Sequence, residues 1–319
     1  MEQRTVPVAE GGLLAALTVI LALAAVYLPV IGIAAALLWP IPIIVLVVRH
    51  GVRQGMMAAV VAGIIMALFI DPVTALQMVI SFMPTGIVLG WGFRRSWSAV
   101  KVFLAAFAAS TAAKLAAVLL LLFVMGVNVF DIQIDVMKQS MDASVELYRS
   151  MGIDEAQLSE MSGQMERMAE LVSLLIPLIV ILMGMLDAVI SYMVGGRILK
   201  RLGETVPVMP PFASWHLPRW ILMLFGFALV GMYWGTTREM DLLYRASLNL
   251  NLICIFAGFI QGLSLLWYAS DHWGLGKAIR IIIAVVLLFN GLLMYITALT
   301  GLFDMVFDYR ARMARKKRG

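Results

Sequence analysis

The chain has 319 residues, of which 62% are hydrophobic and 13% charged, with a mean hydropathy of +0.96. That much apolar surface cannot face water, so lipid must be the solvent and a soluble core is excluded. The net charge of +5 is not a nucleic-acid footprint, because six basic residues fall between Arg310 and Arg318 and most others border apolar stretches.

Apolar runs of near-spanning length fall at about 11–28, 31–48, 54–70, 73–93, 102–125, 171–196, 219–235, 246–268 and 279–303. Each is close to the ~20 residues that a helix needs to cross a bilayer. The expected fold is an all-α integral membrane protein, a polytopic bundle of about eight to nine transmembrane helices. Residues 1–202 are expected to form a six-helix membrane unit with an extracytoplasmic helical hairpin at about 126–170. Residues 203–319 are expected to add an interfacial linker, two or three further spans and a basic tail. The first run reads as a retained helix rather than a leader, since Arg4 is offset by Glu2 and Glu10 and no clear cleavage site follows.

Basic residues cluster at Arg49-His50-Arg53, from Arg94-Arg95 to Lys101, and at Arg197-Lys200-Arg201. These are alternate junctions, so the positive-inside rule predicts a cytoplasmic N-terminus. Between Asp131 and Glu170 nine acidic residues face three basic ones, in the loop that this scheme places outside. Nine crossings would strand the tail from Arg310 on the wrong side, and Asn290-Gly291 is the expected break for a segment that folds back.

The outer insert has helical periodicity: Ile134, Met137, Met141, Val145 and Tyr148 make one apolar face, and Leu158, Met161, Met165 and Met168 another. Gly152 separates them, and Asp154 followed by Gln157 resembles a capping box. A lid packed on the bundle and a moving gate are both open readings of this hairpin. From Pro207 to Trp220, prolines and aromatics predict a linker at the cytoplasmic surface. His216 within it has no neighbouring His, Cys or carboxylate spaced to bind metal.

Small residues recur every fourth position at Gly55, Ala59, Gly63 and Ala67 and at Ala105, Ala109, Ala113 and Ala117, giving flat faces that let helices approach in lipid. Gly12, Ala16 and Ala24 form a weaker version on the first span, available for packing or for docking a partner. Lys114 and Asp187 fall at similar depth on consecutive spans, and a charge at the bilayer centre costs at least about 2.5–3.5 kcal/mol. They are therefore expected to pair, either as a site for a charged or zwitterionic solute or as a buried ion pair that sets helix register. In the eighth span Ser247, Asn251, Cys254, Gly258 and Gln261 lie on one face, readable as interhelical glue or as a solute path. Asp71, Asp304 and Asp308 lie near span ends, where water or arginines are expected to satisfy them. The single cysteine, Cys254, allows no disulfide framework.

No phosphate loop occurs, the Gly274-Leu275-Gly276-Lys277 fragment being too short, and no H-E-x-x-H appears. With His50, His216 and His272 scattered and one deep carboxylate, no catalytic residue, metal site or cofactor is expected, and the chain is read as a non-enzyme.

The stretch from Glu10 to Arg95 resembles the opening half of the substrate-capture (S) subunits of energy-coupling-factor vitamin transporters. The likeness lies in the order of the small-residue first helix Gly11–Leu28, the Pro40-Ile41-Pro42 second span, the turn Arg49-His50-Gly51-Val52-Arg53-Gln54-Gly55 and the small-residue third span. That turn, the tail Gly301-Leu302-Phe303-Asp304 with Asp308-Tyr309-Arg310, and Phe212 with Leu217-Pro218 resemble the YybS-like family of uncharacterised bacterial multi-pass membrane proteins. The resemblance implies a bacterial cytoplasmic (inner) membrane and a six-helix unit followed by extra spans. From the capture subunits it implies a small-molecule solute bound in an outward pocket near Lys114 and Asp187. It further implies a transmembrane partner with ATPase subunits, docked near Gly12, Ala16 and Ala24. The long hairpin and extra spans depart from that pattern. Solute binding or transport is thus the first expectation; the alternative is a scaffold that recruits partners through the hairpin and tail, with an enzyme acting on a lipid third.

Overall fold

The computed structural model describes residues 2–126 and 129–316, all-helical apart from turns and a linker, with no strand among the described residues. Of the basic tail, Lys317 and Arg318 lie outside the described residues, as do the side chains of Arg315 and Lys316. The chain is a polytopic helical membrane protein, and among the described residues eight helical segments are long and apolar enough to cross a bilayer. It divides into two compact units, residues 1–209 and 210–319.

The first unit carries α1 (Glu2–Tyr27), α2 (Ile31–Leu38), α3 (Ile41–His50), α4 (Val52–Phe69), α5 (Pro72–Arg94), α6 (Ala99–Met125), α7 (Val129–Ser150), α8 (Glu155–Leu174) and α9 (Ile176–Arg201). Helices α2 and α3 form one span, Ile31–His50, interrupted where Pro40 restarts the helix. Every residue of α3 from Ile41 to Val47 is buried, and α1, α4, α5 and α9 all pack on it. A short hydrophobic helix can be buried on all sides only if its neighbours present small residues. Gly55 and Gly90 do so, since a Cβ on either would strike Val47. Trp39, fully buried beside α3, donates its indole N–H to the Thr18 carbonyl at 2.7 Å and meets Phe82 edge-on.

Turn chemistry sets the helix ends. Gly51 has φ +101°, a left-handed value that favours glycine and allows the sharp turn between α3 and α4. Asp71 caps α5, accepting from the Val73 and Thr74 amides, with Pro72 at the first helical position. The Thr74 hydroxyl and these amides hold the Asp71 carboxyl below its ordinary pKa. Glu10 of α1 bonds Arg49 and lies 2.7 Å from His50 Nε2, and Arg49 also reaches Glu204 at 3.5 Å. These ions gather at the basic junction that follows α3. Residues 203–209, expected in the linker, belong with the first unit: the Tyr192 hydroxyl donates to the Pro207 carbonyl at 2.6 Å, and Val206 and Met209 pack on the cluster around Leu199.

Helices α7 and α8 make the expected hairpin, turning at Gly152 with φ +84°. Three details differ from expectation. The Asp154 side chain makes no capping bond although the residue starts α8. The inner face of α8 ends on buried Ala169, with Met168 64% exposed. The hairpin is not a lid packed on the bundle, because α7 and α8 pack on each other and otherwise mainly touch α6 and α9, the helices they continue.

The second unit contains a 3-10 turn at Phe212–Ser214, then α10 (Trp220–Thr237), α11 (Asp241–His272), α12 (Lys277–Phe289), α13 (Gly291–Phe307) and α14 (Tyr309–Lys316). The expected ninth span is broken at Asn290, where α12 and α13 bend by 108°. Asn290 caps α13 by accepting from the Leu293 amide at 3.0 Å, so the break carries its own start signal. Helix α13 lies against α11 at a triple-glycine contact: a Cβ on Gly301 would run into the Gly258 carbonyl and the Gly262 amide. Gly258 and Gly262 form a G-x-x-x-G motif, the pattern that lets membrane helices touch backbone to backbone.

Gly301→Ala should destabilise the purified protein by about 1–3 kcal/mol, the usual range for overpacking. Gly12→Ala, at a site with open space around it, should be neutral. Thermal unfolding of the two variants in detergent micelles checks the contrast.

Candidate functional site

Lys114 and Asp187 meet near the middle of their spans, α6 and α9. Asp187 Oδ2 accepts from Lys114 Nζ at 2.9 Å, from Ser110 Oγ at 2.6 Å and from Thr85 Oγ1 at 3.0 Å. Its Oδ1 lies 3.3 Å from the Ser191 hydroxyl, which donates to it. Lys114 also donates to Ser110 at 2.9 Å and stands 4.8 Å from the centre of the Phe82 ring. Three helices, α5, α6 and α9, therefore surround one carboxylate.

The helix pattern explains why these groups converge. Ser110 precedes Lys114 by four residues and Ser191 follows Asp187 by four, so each charge has a hydroxyl one turn away on its own helix face. Gly184 brings α9 close to α6, because a Cβ there would strike Thr111, and Ala188 is fully buried beside it. The Thr111 hydroxyl is buried with no hydrogen-bond partner, consistent with a contact too tight to admit another group. The inward face of α6 runs through Val102, Ala106, Ser110, Ala113 and Ala117. Of the expected row, Ala113 and Ala117 lie on this face, while Ala105 and Ala109 are half-buried beside it and Ala106 and Ser110 take the inward positions.

The pair is asymmetric. The side chain of Asp187 is 1% exposed and that of Lys114 16%. Burying the carboxylate costs several kcal/mol of lost solvation, which four donors offset; the ammonium has three N–H groups and spends two of them on Ser110 and Asp187.

The other expected site residues do not join this cluster. Ser247 is buried against Gly231 of α10, Asn251 is half-buried, and Gln261 is buried near the opposite end of α11. Gln261 accepts from the Leu217 amide at 2.9 Å and donates to Asp304 Oδ2 at 2.7 Å. The stripe on α11 thus meets two different sets of neighbours, α10 at Ser247 and the linker and α13 at Gln261. Asp304 has the expected arginine, Arg310 at 3.6 Å, but it is fully buried rather than open to water and also accepts from Gln261 and from the Tyr309 amide. Gly55 and Ala59 are buried and Gly63 meets Val79 of α5, so that row serves internal packing. Gly12 and Ala16 are exposed and Ala24 is half-buried. Among the described residues no group of three or more His, Cys, Asp or Glu is placed to hold a metal ion.

Sequence reasoning overlooked Thr85, Ser110 and Ser191. The two serines carry a signal, the four-residue step to a membrane-buried charge; Thr85 carries none, since nothing in α5 announces its register against α9. The Gly258-x-x-x-Gly262 motif was also readable.

The family described as "Predicted membrane protein (DUF2232)" matches residues 16–305. The "Uncharacterized protein YybS" of Bacillus subtilis (strain 168) is similar, 26% identical over 306 residues, with 95% of this chain and 97% of that protein covered. No solved structure matches.

Asp187→Ala should cost about 3–5 kcal/mol, the range for removing one partner of a buried ion pair. Lys114→Ala should cost less, because three hydroxyls still solvate the carboxylate. Denaturant titration of both variants in micelles measures the difference; a larger loss for Lys114→Ala would contradict it.

Proposed function

Because the chain belongs to the DUF2232 family of predicted membrane proteins, we propose that its first unit is a non-enzymatic membrane component that binds a small anionic or zwitterionic solute at Lys114 and helps move it. The asymmetry of the buried pair supports this reading most directly: the carboxylate is enclosed by hydroxyls while the ammonium remains partly accessible. A purely structural pair has no need of that difference. Lys114 also has one N–H group left over and an aromatic face beside it, a combination suited to holding a compact acid in an apolar setting. The resemblance of Glu10–Arg95 in sequence order to capture subunits is what suggests a bacterial cytoplasmic membrane and a transmembrane partner with ATPase subunits, and the basic clusters after Val48, Phe93 and Gly196 suggest a cytoplasmic N-terminus. The exposed small face of Gly12 and Ala16 is the candidate docking surface.

A scaffold reading is favoured by one separate observation. The α7–α8 hairpin packs on itself and leaves a groove of about 510 Å³ between its helices, lined by Lys138, Asp142, Glu166 and Glu170 among apolar residues. A hairpin not occupied by its own bundle is free to recruit a partner.

Mass spectrometry of the gently purified protein, scoring retained small molecules and co-purifying polypeptides, tests both. The solute reading expects an enriched acid or zwitterion that Lys114→Ala loses while remaining folded. If Lys114→Ala is merely unstable and Asp187→Ala rescues it, the pair is structural. Replacing residues 134–170 by a short flexible linker should remove co-purifying polypeptides without removing the solute; loss of both, or of neither, counts against the scaffold reading.

A further inference from the structure

Within the second unit, the linker, the last turns of α11 and the start of α14 meet at one end, and Arg310 holds them together. Its Nη1 donates to the Ala213 carbonyl at 2.7 Å and its Nη2 to Ser264 Oγ at 2.9 Å. Ser264 in turn donates to the Phe212 carbonyl at 2.6 Å, which fixes the 3-10 turn on α11. The guanidinium lies 5.8 Å from the Tyr268 ring and forms one wall of a cavity of about 310 Å³. Pro211, Ala213, Ser214, His216 and Tyr268 complete the lining. Arginine has five N–H donors in a planar fork that suits phosphate. Two are used on protein acceptors here, and Nε is buried without a hydrogen-bond partner, 3.6 Å from Asp304.

The segments that flank this cavity in sequence are rich in basic residues. Arg219 and Arg312 are exposed, and the sequence goes on to Arg315, Lys316, Lys317 and Arg318. Of the nearby acids, Asp304 is buried against Gln261 and Arg310, Asp271 is engaged by Arg280, and Asp308 accepts from the Ala311 amide at the start of α14. Trp215 and Trp267, of the residue type enriched at the headgroup layer, pack edge-on against Phe212 of the 3-10 turn. A polybasic segment directly after a membrane helix is attracted to anionic lipid by about 1 kcal/mol per basic residue.

We propose that this end of the second unit is a docking surface for anionic phospholipid, with the lipid lying over this shallow hollow beside Arg310, His216 and Tyr268. Charge complementarity selects the occupant: a basic, aromatic surface at the end of spanning helices meets the phosphates of its own leaflet. It follows that the linker and the tail share one membrane face. The bent pair α12–α13 dips in and returns to that face, which leaves eight crossings and removes the conflict between nine spans and a basic C-terminus. This site lies outside the Lys114 cluster and does not depend on the solute reading.

The test is native mass spectrometry of the full chain in micelles after exchange with vesicles of equal parts phosphatidylglycerol and phosphatidylcholine. The expected result is preferential retention of phosphatidylglycerol. It should be reduced about tenfold in the double variant His216→Ala, Tyr268→Phe, which removes polar groups of the cavity without touching the Arg310 clamp. Arg312→Ala should reduce it about fivefold. Both variants should melt at the wild-type temperature. Equal retention of the two lipids, or phosphatidylglycerol retention undiminished in the double variant and in Arg310→Lys, overturns the proposal and leaves Arg310 as a strut. Displacement of the lipid by millimolar inorganic phosphate also overturns it, by assigning the cavity to a soluble phosphate compound.

Discussion

An ionised carboxylate in hydrocarbon must be surrounded by donors, and Asp187 obtains them from α5, α6 and α9 at once. That requirement fixes the rotation of each of these helices. Helix α6 must turn Ser110 and Lys114 toward α9, which sends Leu104, Leu115 and Leu122 outward to lipid. Helix α9 must bring Gly184 and Ala188 against α6, so that the pair can close. Helix α3 then fills the remaining space, its seven buried residues packing against neighbours already set in place. Apolar contacts alone are poor at choosing among helix rotations, because lipid competes for the same surface. A single deep carboxylate supplies the missing specificity.

The second unit reaches the same end differently. Its helices α11 and α13 touch through three glycines, where close backbone approach replaces side-chain interlocking. A polar cluster sits toward one end, where Asp304 joins Gln261 and Arg310, which in turn hold the linker. A flat apolar contact limits the distance between the helices, and the polar clamp limits their sliding. Neither alone defines the arrangement.

These two mechanisms explain what was legible in the residue order. Lys114 and Asp187 could be matched because both depths can be counted from flanking basic residues at 1.5 Å per residue. The break at Asn290 was legible because an Asn-Gly step in an apolar run cannot continue a helix cheaply. Thr85 and the Arg310 network were not, since both depend on the register of helices distant in sequence. Asp304 in particular looks like an ordinary residue at a span end until Gln261, 43 residues earlier, is seen beside it. The α8 face drifted from Met168 to Ala169 for a related reason: periodicity gives a stripe, and the neighbouring helix decides where the stripe ends.

One joint has a mechanical consequence. Only Leu175 separates α8 from α9, and its amide bonds back to Leu171 and Val172 while its carbonyl accepts from Ile179. The hydrogen-bond ladder nevertheless loses a bond at Pro177, which has no N–H to donate, so the hairpin meets α9 at a joint, and Asp187 lies about three helical turns beyond it, in the middle of α9. The hairpin can therefore tilt at Pro177 without turning the carboxylate out of its ring of donors.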